Sequence, residues 1–377
     1  MDSSPQPSPG EYIRNELERR GWLQRDLAFM LHVPEQAINM VVAGKRALSA
    51  DMARLLSVAF DKPPEFLLGL QKNHEISQEL AHAKEPDPSV IKMVQWQSRY
   101  PIRDMIKRGW LDADSTSTIT EEQLADFFKV ANVTDPPRLP HAAKKTGSYS
   151  DEISGAQFAW LARVAQIAER LIVPDYSEKT LRDKLPKLRS MMRTPEDVSG
   201  VPRILHECGI RFVLVEVLPG SKIDGVCFWL KENTSPVVGL SLRFDRIDNF
   251  WFVLRHELEH VLRRHGVEKI RIDDNLDVAD EAELPPEEKQ ANAAASDFCV
   301  PTAKMDSWIA RKAPFFSERE LLGFATLQQV HPGIVAGQFR NRTKKYNLFT
   351  KYLVKVRNAL LSSAVVDGWG AIYPITR

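Results

Sequence analysis

His256 and His260 stand four residues apart, with Glu257 between them, in the run Arg255-His256-Glu257-Leu258-Glu259-His260. On an α-helix, residues four apart share a face, so both imidazoles can reach one metal ion. Two imidazoles on a rigid helix suit Zn2+. Glu257 would lie beside that ion. It can take a proton from an attacking water and hand it to a leaving amine. This is the chemistry of a zinc peptidase, with one Zn2+ per chain.

A catalytic zinc needs a third protein ligand and an open fourth position. Extended zincins carry a third His ten residues after the first. Gly266 stands there in this chain, with His265 one position off. Glu288 is the better candidate, although Glu281, Glu283 and Glu287 lie close to it in sequence. Asn292, four residues further along the same helix face, could hydrogen-bond a ligand histidine. A structural zinc would need a fourth protein ligand, and none is evident. An HExxH also arises by chance on charged surface helices.

The elements that must position these groups are legible around them. Phe250, Val253, Leu254, Leu258, Val261 and Leu262 form an apolar stripe that anchors a helix over residues 250–264. Residues 211–218, 225–230 and 237–242 read as strands, with a turn at Pro219-Gly220. The last of the three is read as an edge strand able to pair with an extended substrate backbone. Residues 273–286 are acidic and loop-like, and 287–299 form a helix closed before Pro301. Further upstream, Leu161, Val164, Ala165, Ile167, Ala168 and Leu171 follow a 3.6 period within a helical stretch over 150–193.

Ile223-Asp224-Gly225, Arg243-Phe244-Asp245, the run Phe250-Trp251-Phe252-Val253-Leu254 and HELEH together resemble the ImmA/IrrE metallopeptidases. So do Glu288-Lys289-Gln290-Ala291-Asn292, Pro301, and His331-Pro332-Gly333-Ile334-Val335. The resemblance covers residues 201–335. It implies His256, His260 and Glu288 as zinc ligands and Glu257 as the catalytic acid/base. It also implies selective cleavage of a partner protein, often a transcriptional repressor. The family usually has Gly or Ala where this chain has Glu259, and a charge there must face solvent or find a partner. Gln290 and Ala294 replace a frequent Glu and Phe. His331 is a candidate helper for a developing oxyanion, against the reading of a packed or surface histidine.

Residues 10–70 read as short helices: 11–20, 24–31, 35–43, one capped by Ser49 through Phe60, and one opened by Pro63-Pro64. Gly21-Trp22-Leu23-Gln24-Arg25-Asp26-Leu27-Ala28, Val33, Ile38 and Gly44-Lys45-Arg46 are similar to the helix-turn-helix of HigA-like (XRE-type) antitoxins. In that class the second helix of the motif enters the major groove, which maps to residues 35–42. Gln36 and Asn39 could reach base edges, and Lys45 and Arg46 could touch phosphate. Leu23 and Pro34 stand at usual polar cap positions. Acidic and basic residues roughly balance over residues 1–72, without the basic excess of many DNA readers. A helical docking or dimerisation module is therefore the alternative for this segment.

The chain is 377 residues long, which points to two or three domains. The formal net charge of +1 gives no global push toward nucleic acid or membrane. No apolar run is long enough to span a bilayer, and residues 1–12 carry no secretion signal. Cys208, Cys227 and Cys299 are odd in number and widely spaced, as expected of buried thiols in a reducing cytoplasm. The expected fold class is α+β, in four segments. A disordered lead-in (residues 1–9) precedes an all-α helix-turn-helix domain (10–72) and a helical middle region (73–200). A zincin-like domain (201–377) follows, with a small mixed β-sheet, the HExxH helix and C-terminal helices. The expected protein is a cytoplasmic, homodimeric regulator that binds operator-like double-stranded DNA and cleaves a repressor, in a stress response or a toxin–antitoxin unit. The alternative is a non-catalytic antitoxin-like repressor whose HExxH domain only binds metal, ligand or partner.

Overall fold

The computed structural model describes residues 7–113, 119–131, 144–146, 153–265, 267, 271–274 and 284–374. The chain divides into two compact units, residues 1–88 and 89–377.

The first unit is all helical: α1 (Pro9–Arg20), α2 (Gln24–Met30), α3 (Glu35–Val42), α4 (Ala50–Phe60) and α5 (Pro64–His82). Local chemistry sets the boundaries. Ser8 and Glu11 cap α1 reciprocally, each side chain accepting from the other's backbone amide. Gly21 ends α1 at φ 67°, a left-handed turn that glycine takes without strain. Ser49 accepts from the Met52 amide to start α4. Leu23 offers no cap to α2, and Asp26 compensates by accepting from the Leu23 amide. Ile13, Leu17, Leu27, Ile38, Val41, Leu56 and Phe60 share one core.

The second unit holds α6 (Pro88–Arg99), α7 (Ile102–Lys107), α8 (Glu121–Phe128), α9 (Gly155–Arg170), α10 (Glu178–Ser190) and α11 (Val201–Glu207). Then come α12 (Ile247–Leu262), α13 (Pro286–Cys299), α14 (Thr302–Lys312), α15 (Glu318–Gln328), α16 (Pro332–Thr343) and α17 (Arg357–Leu361). Its strands are β1 (Lys144–Thr146), β2 (Arg211–Val215), β3 (Ile223–Leu230), β4 (Ser235–Leu240), β5 (Arg271–Asp274) and β6 (Val365–Asp367). They form one mixed sheet in the order β1-β5-β3-β4-β2-β6. β3 is antiparallel to both β4 and β5, and the remaining pairs are parallel.

Both faces of this sheet are covered, which is why β2, β3 and β4 are buried along their whole length. Phe212, Leu214, Cys227, Trp229, Val238 and Leu240 join the core built with α12. Val213, Val215, Val226, Phe228 and Val237 join the core built with α9. Trp160 of α9 is fully buried and donates its indole N–H to Val215 O at 2.9 Å. Gly239 lets α9 approach closely, since a Cβ there would fall 2.8 Å from Val164 Cγ1. The three cysteines are free and buried. Burial pushes the Cys208 thiol up to about 11 and the Cys299 thiol up to about 12.

Four expectations change. The segment 237–242 is not an edge: β4 lies between β3 and β2. A lead-in through residue 9 runs too far, because Ser8 already caps α1; residues 1–6 lie outside the described residues. The boundary at 72 falls inside α5, whose helix continues unbroken to His82. Residues 73–200 do not form a separate middle region, because α9 and residues of α7 and α8 share one core with the sheet of the second unit. The linker expected around Pro136-Pro137 lies outside the described residues, as does most of the one at 141–147, of which residues 144–146 are β1.

Candidate metal centre

α12 carries the HExxH and is buried at every position except Phe252. Its start is held from several sides. Asp245 Oδ1 accepts from the Val356 and Arg357 amides at 3.0 and 2.8 Å. Ile247 N–H donates to Val354 O at 3.0 Å, and Arg246 pairs with Asp248 at 2.8 Å. α13 is the second arm. Pro286 opens it, which sets Glu287 and Glu288 in its first turn, where carboxylates are favoured. Ala291 and Ala295 are fully buried, and their small side chains let α13 lie close against its neighbours.

The two helices bring three side chains to one point. His256 and His260 are fully buried and Glu288 is 1% exposed. His256 Nε2 lies 2.9 Å from His260 Nε2. Glu288 Oε2 lies 3.2 Å from His256 Nε2 and 3.4 Å from His260 Nε2. Ligand atoms around a tetrahedral zinc, with bonds of about 2.0–2.1 Å, are about 3.3 Å apart. The two distances to Glu288 match that spacing and the distance between the two imidazoles is somewhat shorter, and the donor set of two imidazoles and one carboxylate fits Zn2+. Burial acts to raise the Glu288 carboxyl, but the two imidazoles hold it well below the usual carboxylate range.

Glu257 is fully buried on the same helix. It leans on the backbone of β3: a Cβ built on Gly225 would fall 2.1 Å from Glu257 Oε1. The ladder between β3 and β5 shifts register between Ile223 and Gly225. Such a bulge re-aims residues locally, and here the position that faces Glu257 carries no side chain. Sequence reasoning singled out Ile223-Asp224-Gly225 only as a family-like run, without this role.

His265 takes a place that spacing did not assign to it. Its Nδ1 lies 2.9 Å from His260 Nδ1, so one ring donates to the other and His260 is oriented from behind. Gly266 lies outside the described residues. Asn292 is half-buried on α13 and lines a cavity of about 870 Å3 beside the first turns of α12; its buried Oδ1 has no hydrogen-bond partner among the described residues. His331 caps α16, where its Nδ1 accepts from the Gly333 amide at 3.0 Å and its own amide donates to Met192 O at 2.7 Å. Burial lowers its imidazole pKa, and among the described residues it is not part of the cluster that could hold a metal ion.

Glu259 finds partners instead of solvent. It is 7% exposed and accepts from Arg255 at 2.7 Å and from Arg263 at 2.6 Å. Burial raises its carboxyl, and the two arginines more than offset this, leaving it below the usual range. Arg255 is itself 8% exposed and stacks on Phe298 at 5.6 Å. Glu259→Ala should therefore destabilise the protein by about 3 kcal/mol, because it strands a buried guanidinium. Urea denaturation at pH 7 measures this. A depressed carboxyl contributes stability above its unfolded value and loses it as pH falls through the folded one. The difference between wild type and variant should therefore shrink on acidification below about pH 4. A variant within 0.5 kcal/mol of wild type, taken as about the scatter of surface substitutions, would refute this role.

In the first unit, Gln36 and Asn39 are exposed on α3 while Ile38, Val41 and Val42 are buried beneath them. Lys45 and Arg46 are exposed just past the end of α3. The helix thus offers its polar side outward and spends its apolar side on the core.

Residues 13–67 match the family model described as Helix-turn-helix, and the first unit is a helix-turn-helix domain of this type. Virulence-associated protein A' of Dichelobacter nodosus is 40% identical over 73 residues, which are 19% of this chain and 64% of that protein. The chain thus spans under two thirds of the length of the curated relative it matches. Pseudomonas aeruginosa antitoxin HigA, solved with the higBA promoter, is 30% identical over 22% of this chain and 98% of its own, at a TM-score of 0.21. A Pseudomonas aeruginosa protein in complex with its 28-bp operator DNA is 31% identical over 22% of this chain and 100% of its own, at a TM-score of 0.20. Among the described residues, no helix is long and apolar enough to cross a membrane.

Proposed function

We propose that this chain is a DNA-binding transcriptional regulator of the helix-turn-helix type, fused to a zincin-like, ImmA/IrrE-type zinc endopeptidase. In this reading it cleaves a partner protein, a repressor, and acts as a cytoplasmic homodimer. The observation that carries the peptidase half is the buried trio of His256, His260 and Glu288, with ligand atoms 2.9–3.4 Å apart and Glu257 one residue away. The match of residues 13–67 supports the regulator half, as do the exposed Gln36 and Asn39.

His256, His260 and Glu288 would hold a zinc ion, which would supply Lewis acidity toward a peptide carbonyl and toward water. The chain's own residues do the rest. Glu257 accepts a proton from the attacking water and returns it to the departing amine nitrogen. Its burial against Gly225 keeps the carboxylate in one position between these transfers. His265 holds the His260 ring so that Nε2 faces the cluster.

Elemental analysis of purified protein tests the centre. About one zinc per chain is expected in wild type, and little in His260→Ala or Glu288→Ala, since each removes one of three ligands. Absence of metal from wild type after addition of zinc would overturn the peptidase reading. For the regulator half, Gln36→Ala and Asn39→Ala should each cost about 1–3 kcal/mol of discrimination on a duplex selected from random DNA. Lys45→Ala or Arg46→Ala should instead weaken binding to all duplexes and reduce the salt slope by about 1. Gel-shift titration reads both. Unchanged affinity in all four variants would favour a docking module.

A further inference from the structure

Strand addition is how a protein commonly holds an extended peptide, and it needs one free row of backbone N–H and C=O groups. β3 is the strand that lies against the proposed proton shuttle, with Gly225 over Glu257. One side of β3 is taken by β4 from Gly225 to Leu230. The other side is taken by β5, which runs antiparallel to it with Gly225 opposite Asp273, Val226 opposite Ile272 and Cys227 opposite Arg271. The outer side of β5 is in turn paired in parallel with β1. A peptide that added to β3 beside Glu257 would need the same backbone groups that residues 271–274 use.

We infer that β5 is an intramolecular competitor for the strand-addition site beside Glu257, so that an extended substrate segment binds by displacing residues 271–274 from β3. This rests on the reading of His256, Glu257, His260 and Glu288 as a peptidase centre. Two features make the exchange feasible. β5 has only four residues, so a longer peptide can out-compete it in number of backbone bonds. The register shift between Ile223 and Gly225 interrupts the ladder at the end of β5. The partner class that fits is therefore a polypeptide segment in extended conformation and antiparallel to β3.

Two zinc-directed probes separate the parts of this inference in the zinc-loaded full chain. Acetohydroxamate engages only a metal. A hydroxamate on a Val-Ala-Leu tripeptide adds a backbone that must pair, and its metal-binding group offsets its having fewer residues than β5. In wild type, the tripeptide probe should speed trypsin cleavage after Arg271 about tenfold by freeing β5, while acetohydroxamate leaves that rate unchanged. Alternate amides of a strand face opposite sides, so one of two successive prolines in Arg271→Pro/Ile272→Pro must remove a donor to β3. This variant should bind the tripeptide probe about tenfold tighter by calorimetry, with acetohydroxamate affinity unchanged. The wild-type trypsin assay stands by itself if the variant does not fold. Acetohydroxamate binding together with a tripeptide probe that leaves Arg271 cleavage unchanged would overturn the inference alone. Failure of acetohydroxamate to bind the zinc-treated protein would overturn the metal-centre reading beneath it.

Discussion

Glu257→Gln should lower peptide-bond hydrolysis by about a thousandfold while the zinc content stays at the wild-type level. The substitution keeps the shape of the side chain and its fully buried position, but the amide cannot accept the proton that the carboxylate accepts. None of the three atoms proposed to hold the metal is altered, because those belong to His256, His260 and Glu288. Cleavage is to be read by mass spectrometry on a proteome-derived peptide library, since this presents many extended sequences at once. A Gln variant within tenfold of wild type would remove Glu257 from the reaction. Zinc-loaded wild type that cleaves nothing in the library, or in candidate repressors added intact, would instead favour the antitoxin-like repressor that binds metal without turnover.

Gly225→Ala should strongly lower turnover on the proposed reading. Its Cβ would meet Glu257 Oε1 at 2.1 Å, Glu257 Cδ at 2.9 Å and Val253 Cγ1 at 3.0 Å. Something must move. The backbone of β3 is held by neighbours on both sides, and Val253 is 3% exposed in a packed core. The carboxylate is the part best able to give way. A displacement of about 1 Å in a group that handles a proton costs about a hundredfold in rate. Zinc content should be unchanged, and stability should fall by about 1–3 kcal/mol from overpacking. The comparison is the same library assay, run well below the melting temperature of the variant. Wild-type turnover in Gly225→Ala would mean that the close approach of β3 to Glu257 has no part in the chemistry.

Both predictions concern residues of different legibility. Glu257 could be chosen from the chain because HExxH is a local pattern: helical geometry alone brings His256 and His260 to one face. Gly225 could not be assigned its part, because its importance is a contact between a strand and a helix that have another strand, β4, between them in the chain. Glu288 lies between these cases. Spacing left it among Glu281, Glu283 and Glu287, and only the resemblance to a metallopeptidase family favoured it. In the folded chain, Pro286 sets the start of α13, and Glu288 turns inward to the histidines while Glu287 stays half-buried. His265 was noticed only as a misplaced third ligand, and its contact with the back of His260 depends on the turn after α12.

The strands show the same division. Residues 211–218, 225–230 and 237–242 read as strands from the sequence, and the folded chain sets their bounds at 211–215, 223–230 and 235–240. Their order was not legible, because nothing local says which strand lies outermost. The edge assigned to residues 237–242 was lost for that reason. Likewise, the charge at Glu259 could face solvent or find a partner, and the folded chain decides for the partners Arg255 and Arg263, one helical turn to either side.

By itself the sequence determined whatever rests on near neighbours. It determined the helix-turn-helix with its Ser, Gly and Pro punctuation, the helix that carries HExxH, and the pairing chemistry of two imidazoles and a carboxylate. These depend on spacings of three or four residues and on backbone preferences that a few side chains dictate. Only the tertiary structure decided the third member of the metal-facing cluster, the strand that lies against Glu257, and the segment that occupies that strand's open side. Those choices join residues far apart in the chain, and they are made by burying the apolar faces of α9, α12 and α13 against one sheet.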